Sequence, residues 1–146
     1  MTAVHNLRRS LRMYFPNLRT ERHGGSRATP SIIKITTSSG QPMMSLYVKS
    51  AASKHGSQGH FWGINENQIR SLNSKPLPWW LVLLMGSAER CYLSSGDKVY
   101  QLMEARTLSY QDSRHEHKIH EDQISGKWQK YPTFVDLFEA LRLPKG

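Results

Sequence analysis

A chain of 146 residues with 38% hydrophobic and 21% charged side chains is long enough for one domain with a real core, and too mixed for a disordered, collagenous or coiled-coil class. Its single cysteine, Cys91, excludes an intramolecular disulfide and points to a reducing, cytoplasmic setting. The longest apolar run, Leu77 to Met85, contains Pro78 and falls well short of the ~20 residues that span a bilayer, so no membrane role is expected.

The net charge of +9 is unevenly placed. Residues 1–65 carry nine Lys and Arg against one acid, Glu21, whereas residues 66–146 are nearly balanced, with eleven against ten. Local clusters, not totals, make fields. The partner that gains most from the first half is a polyanion, DNA or RNA, whose phosphates release counterions when neutralised. Residues 1–31 also have the Arg-rich, nearly acid-free composition of an organellar transit peptide, but their helical phase runs on to Leu18 toward the first strand, which favours a folded segment.

In chain order, Leu7, Leu11, Tyr14, Phe15 and Leu18 line one stripe of a helix from about Val4 to Phe15, with Arg8, Arg9, Arg12 and Arg19 mainly off it and Glu21 near its end. Ser31–Thr37 and Met43–Lys49 form a hairpin in which Met44, Leu46 and Val48 face one side and Ser45, Tyr47 and Lys49 the other. Ser50–Gly59 is a loop without large apolar residues, free to meet a ligand. Asn65 with Gln68 reads as a capping box before a short helix that buries Ile69 and Leu72. Trp79–Met85 is a strand covered on both faces, and Arg90–Leu93 is its neighbour. Ser94 or Ser95 caps a helix with Val99, Leu102 and Met103. Thr107–Tyr110 and Lys118–Ile124 read as peripheral strands, and Thr133 opens a last helix. The expected fold is a single α/β (α+β) domain, residues 1–146, with a mixed central sheet flanked by helices.

Phosphate-loop, dinucleotide-binding, paired Cys-x-x-Cys and Gly-x-Ser-x-Gly signatures are all missing. The helix around Leu7–Phe15, the hairpin Ile32–Lys49 with its phrase Tyr47-Val48-Lys49-Ser50, and the passage from Phe61–Ile64 into Trp79–Met85 together resemble the restriction-endonuclease-like nuclease superfamily over residues 1–105. That resemblance implies a core of helix, three-stranded meander, helix and strand. It also implies a (Asp/Glu)-x-Lys triplet that, with an earlier aspartate, holds magnesium and positions water. Lys49 takes the lysine position, but Tyr47 stands where the carboxylate belongs, and no acid occurs from Arg22 to Asn65. A hard cation needs such oxygen ligands. Glu21 is the one acid the superfamily's geometry could bring to Lys49, as a helix carboxylate.

The expected function is therefore phosphate-backbone binding by a nuclease-like fold degenerate at its metal site, with no cofactor. Arg8, Arg12, Arg19, Arg22, Lys34, Lys49 and Lys54 would make the contacts, and His60 and Trp62 could stack on unpaired bases, Phe61 reading as a core anchor. One alternative is a magnesium-dependent nuclease using Lys49 and Glu21 as catalytic residues, with a second subunit of a homodimer supplying a further acid. Another is an adaptor that docks an acidic protein. On a strand, His115 and His117 would share a face, but His120 turns away and Arg114 and Lys118 repel a cation. This stretch reads as a solvated charged loop, and no metal ligand is assigned.

Overall fold

The structure, a computed structural model, describes residues 3–23, 31–53, 60–85, 90–111 and 115–142. Lys54 and most of the expected Ser50–Gly59 loop lie outside the described residues. The helix α1 (Ala3–Tyr14) stops just before Pro16, whose ring and missing N–H end the hydrogen-bonded run. A meander follows: β1 (Arg19–His23), β2 (Ser31–Thr36) and β3 (Pro42–Ser50). After β4 (Ala52–Ser53) and β5 (His60–Asn65) come α2 (Glu66–Asn73), β6 (Trp79–Leu84) and β7 (Cys91–Ser95). The chain continues through α3 (Gly96–Glu104), β8 (Ser109–Gln111), β9 (Glu116–His120) and α4 (Glu121–Ile124), then ends its described part with β10 (Gln129–Tyr131) and α5 (Phe134–Leu141).

Six strands form a mixed sheet in the order β1-β2-β3-β6-β7-β10. Neighbours are antiparallel except β3 and β6, which run parallel because α2 lies in the connection between them. The continuous apolar run Trp79–Leu84 is an inner strand of this sheet, as its two-sided burial requires. One face packs against α1 and α5 through Leu7, Leu11, Ile33, Ile35, Leu46 and Phe138. The other packs under α2 and α3 through Tyr47, Ile69, Leu81, Leu83, Val99 and Met103. Alternation along β3 works as expected: Met44, Leu46 and Val48 enter the first core. Tyr47 enters the second and is fully buried, so it is a core residue more than a member of a polar row.

Three features depart from the sequence reading. Glu21 is in a strand, not near a helix end, because Arg19–His23 finds a ladder partner in β2. The expected strand Lys118–Ile124 stops at His120. There the Gln123 side chain accepts from the His120 N–H at 3.0 Å and starts the short helix α4. The single expected sheet is joined by a second, four-stranded one in the order β4-β5-β9-β8, which delivers residues 116–120 to the end of β3.

Candidate functional site

One side of the larger sheet, the α2 side, carries Lys34 on β2 and Ser45, Tyr47 and Lys49 on β3. Tyr47 divides it. Its hydroxyl accepts the backbone N–H of Asn65 at 3.0 Å, so the start of α2 is tied down over the middle of β3. Asn65 also caps α2 by accepting the Gln68 N–H at 3.1 Å. The reciprocal half of the capping box is not made: the Asn65 N–H is taken by Tyr47, and the Gln68 Oε1 is buried without a partner. Burial pushes the Tyr47 phenol well above its ordinary range, against the Asn65 N–H and with help from the charge of Glu116.

Beyond Tyr47 lies the Lys49 end. Burial lowers the Lys49 ammonium below its ordinary range, and the carboxylate of Glu116 opposes that shift. Glu116 comes from β9, opposite Asn65 in the second sheet. It reaches this place because Gly63 has no side chain: a β-carbon there would run into the Glu116 carboxylate. Lys49 therefore has an acidic neighbour, but not Glu21. The register puts Glu21 opposite Lys34, which is opposite Ser45. At ~3.3 Å per residue and ~4.8 Å per strand, the Glu21 and Lys49 backbones stand about 16 Å apart. The expected catalytic pair is not brought together.

At the other end, between α2 and the β2–β3 hairpin, is a cavity of about 700 Å³. Lys34 stands on its sheet wall and Lys75 on the turn after α2, with Gln41, Ser45, Gln68 and Ser71 between. Among the described residues its lining contains no acid.

The remaining expected contacts are dispersed. Arg8 donates from Nη2 to the Thr20 carbonyl at 3.2 Å, and Arg12 from Nε to the Thr20 hydroxyl at 3.4 Å. Thr20 is opposite Ile35, which packs against α1, so these two arginines work on the face away from Lys34 and Lys49. Arg19 is exposed on β1, and Arg22 pairs by register with Ile33. The cationic groups are thus split between two faces. Trp62 is fully buried with its indole N–H on the Leu84 carbonyl at 2.9 Å, which removes it as a base-stacking platform. His60 is 40% exposed and pairs through Nδ1 with Glu121 at 3.1 Å. Burial works against the Glu121 charge, yet hydrogen bonds from His60 and Tyr92 hold its carboxyl below the usual range.

The histidine cluster is not a shared strand face. His115 precedes β9 in a left-handed conformation (φ 50°), with its ring near the Tyr110 hydroxyl. His117 is buried, its Nε2 is 3.2 Å from Glu66 Oε1, and its Nδ1 has no partner. Among the described residues no group of three or more His, Cys, Asp and Glu could hold a metal ion. Beside Lys49 the described residues bring a single carboxylate, Glu116, and this donor set does not fit the magnesium of the superfamily.

Sequence reasoning gave no site role to Glu116 or Lys75 and read Gln68 only as half of a capping box. The carboxylate had no local signal, because a second sheet brings it to Lys49. Lys75 did have one: it opens Lys75-Pro76-Leu77-Pro78, where two prolines fix a turn against the end of a helix. The chain matches no family model, no curated protein and no solved structure.

Proposed function

We propose that this chain binds the phosphate backbone of a nucleic acid through the α2 side of its larger sheet, on a core of restriction-endonuclease-like design. The observation that carries the reading is the acid-free cavity bracketed by Lys34 and Lys75. No carboxylate is in the cavity's described lining, although Glu21 stands opposite Lys34 on the neighbouring strand, so an incoming phosphate meets the two ammonium groups with no acid between them. The likeness in fold is supported by the order helix, three-stranded meander, helix and strand that remains when the second sheet's β4 and β5 are set aside, with β6 parallel to β3. Lys49 lies on the same side but past Tyr47 and beside Glu116, outside this cavity.

Fluorescence anisotropy with labelled DNA and RNA between about 50 and 200 mM salt tests the proposal. Affinity should fall linearly on a log–log plot, and Lys34→Ala or Lys75→Ala should each reduce the slope by roughly 0.7–0.9. Salt-insensitive binding, or none, would end it.

Glu116 beside a half-buried Lys49 favours one second reading, a nuclease in which water attacks the phosphorus and gives its proton to Glu116, Lys49 stabilises the charge on the non-bridging oxygens, and the sugar oxygen leaves. Plasmid incubated with magnesium or manganese separates the two. Cleavage lost in Lys49→Ala while binding persists makes the chain an enzyme; intact plasmid leaves a binder.

A further inference from the structure

Resting on the phosphate-binding reading, we infer that the cavity between α2 and the β2–β3 hairpin holds one unpaired nucleotide of the bound strand, base inward and phosphate at its rim. The volume of about 700 Å³ falls within the ~300–1,000 Å³ of sites that enclose small organic groups. A phosphate alone would need no such volume.

The lining is divided in the way a nucleotide is divided. Ile32, Met43, Leu72 and Leu77, with the prolines of the two turns, make apolar walls suited to the faces of a planar base. Gln41, Gln68, Ser45 and Ser71 offer donors and acceptors for a base edge. Lys34 and Lys75 line it from different elements, one on a strand and one on the turn after α2.

Among the described residues the lining also carries an uncommitted polar group. It belongs to Gln68: the backbone N–H is spent on the α2 cap, while the side-chain oxygen is buried with no partner. A buried amide left unsatisfied costs free energy. Turning it toward a ligand N–H breaks no protein hydrogen bond and recovers that cost. The amide is free because Tyr47 has taken the Asn65 N–H that a capping box would have offered to it. The same contact that seats α2 thus leaves an unsatisfied amide oxygen on a residue of the cavity wall.

A base in a duplex is stacked and paired and cannot reach such a recess, whereas an unpaired base can be splayed into it. The inference therefore predicts preference for single strands or for duplexes with an extruded base. Specificity would come from the amides and affinity from the lysines.

The test uses anisotropy on the full chain with a single-stranded oligonucleotide, the matching duplex and a strand carrying one abasic site, with adenosine monophosphate as competitor. Ser71→Trp is the main variant. Ser71 is exposed on α2, so the new ring fills the cavity without removing charge. Single-strand affinity should drop tenfold or more in Ser71→Trp, while weaker duplex binding stays unchanged. Amide NMR shifts at Gln68 and Ser71 in the unmutated chain should follow the intact strand and vanish with the abasic one, a readout independent of how the variant folds. Unchanged single-strand binding in Ser71→Trp, or abasic and intact strands giving equal shifts, would overturn the cavity's role and leave phosphate binding standing. Adenosine monophosphate bound in the cavity without competition from the strand would overturn it in favour of a free nucleotide. Absence of binding to every nucleic acid would remove both readings together.

Discussion

The Tyr47 hydroxyl accepts the Asn65 backbone N–H at 3.0 Å, joining the middle of β3 to the residue that caps α2. A tyrosine stands where the resemblance calls for a carboxylate, and this contact gives it a structural job. Tyr47→Phe keeps the buried ring and deletes only the acceptor. The Asn65 N–H is then left unpaired at a half-buried helix start, which costs about 1–3 kcal/mol. Urea denaturation should show that loss with an unchanged m-value. A variant as stable as the parent would mean that water replaces the phenol without penalty.

Glu116 and Lys49 make a second, electrostatic prediction. Burial lowers the ammonium pKa and Glu116 raises it, so Glu116→Gln should lower it further. A titration followed at the lysine Cε by NMR reads this directly; an unmoved midpoint would show that the two groups do not interact. The sign for stability follows from the depressed value. Between the folded pKa of Lys49 and its ordinary 10.5, the unfolded chain binds more protons, so the stability contributed by this residue rises with pH across that window. Lys49→Met should abolish the rise and stabilise the fold below it, where the parent carries a partly desolvated charge.

How far this was readable in advance depends on the range of the interactions. The alternation of Met44, Leu46 and Val48 against Tyr47, the covered strand Trp79–Leu84, and the caps at Ser95 and Thr133 are set by neighbours within a few residues and stand as expected, while Asn65 makes only its own half of the expected box. The strands Arg19–His23 and Gln129–Tyr131 have little apolar character of their own and exist because β2 and β7 offer ladders. Lys34 and Lys49 were legible as basic strand residues, but their surroundings were not. The acid beside Lys49 arrives through β5–β9 pairing, and Glu21 was placed by a helical phase that Pro16 breaks. Trp62 followed the general rule for large aromatics and went to the core.

Cys91 supplies a prediction about access. It is fully buried on β7, and burial pushes its thiol up to about 12. A neutral thiol out of contact with solvent is a poor nucleophile, so an aromatic disulfide reagent near pH 8 should label the native chain only as fast as it opens. Labelling should become immediate in denaturant. Because the folded pKa lies above the ordinary 9.0, the thiol's contribution to stability is complete below that value and is lost as pH climbs from there through about 12. Cys91→Ala should therefore lose less stability than the parent on going to strong alkali. Rapid labelling of the folded chain would contradict the packing of β7.

Two glycines that lack room for a β-carbon should respond differently to the same change. At Gly63 the obstacle is the Glu116 carboxylate, the far end of a flexible side chain that can swing aside. At Gly96, the first residue of α3, it is the indole of Trp79, a rigid buried ring on β6 whose N–H is held by the Asn73 side chain at 3.4 Å. Gly96→Ala should therefore cost about 1–3 kcal/mol, as overpacking of a filled core does. Gly63→Ala should stay within about 0.5 kcal/mol of the parent, while displacing Glu116 and lowering the Lys49 pKa in the same direction as Glu116→Gln. Denaturation curves and the lysine titration, run on both variants, read the two effects separately. Equal destabilisation would mean that Glu116 is held as rigidly as Trp79, and that its place beside Lys49 is fixed by contacts other than the bare backbone of Gly63.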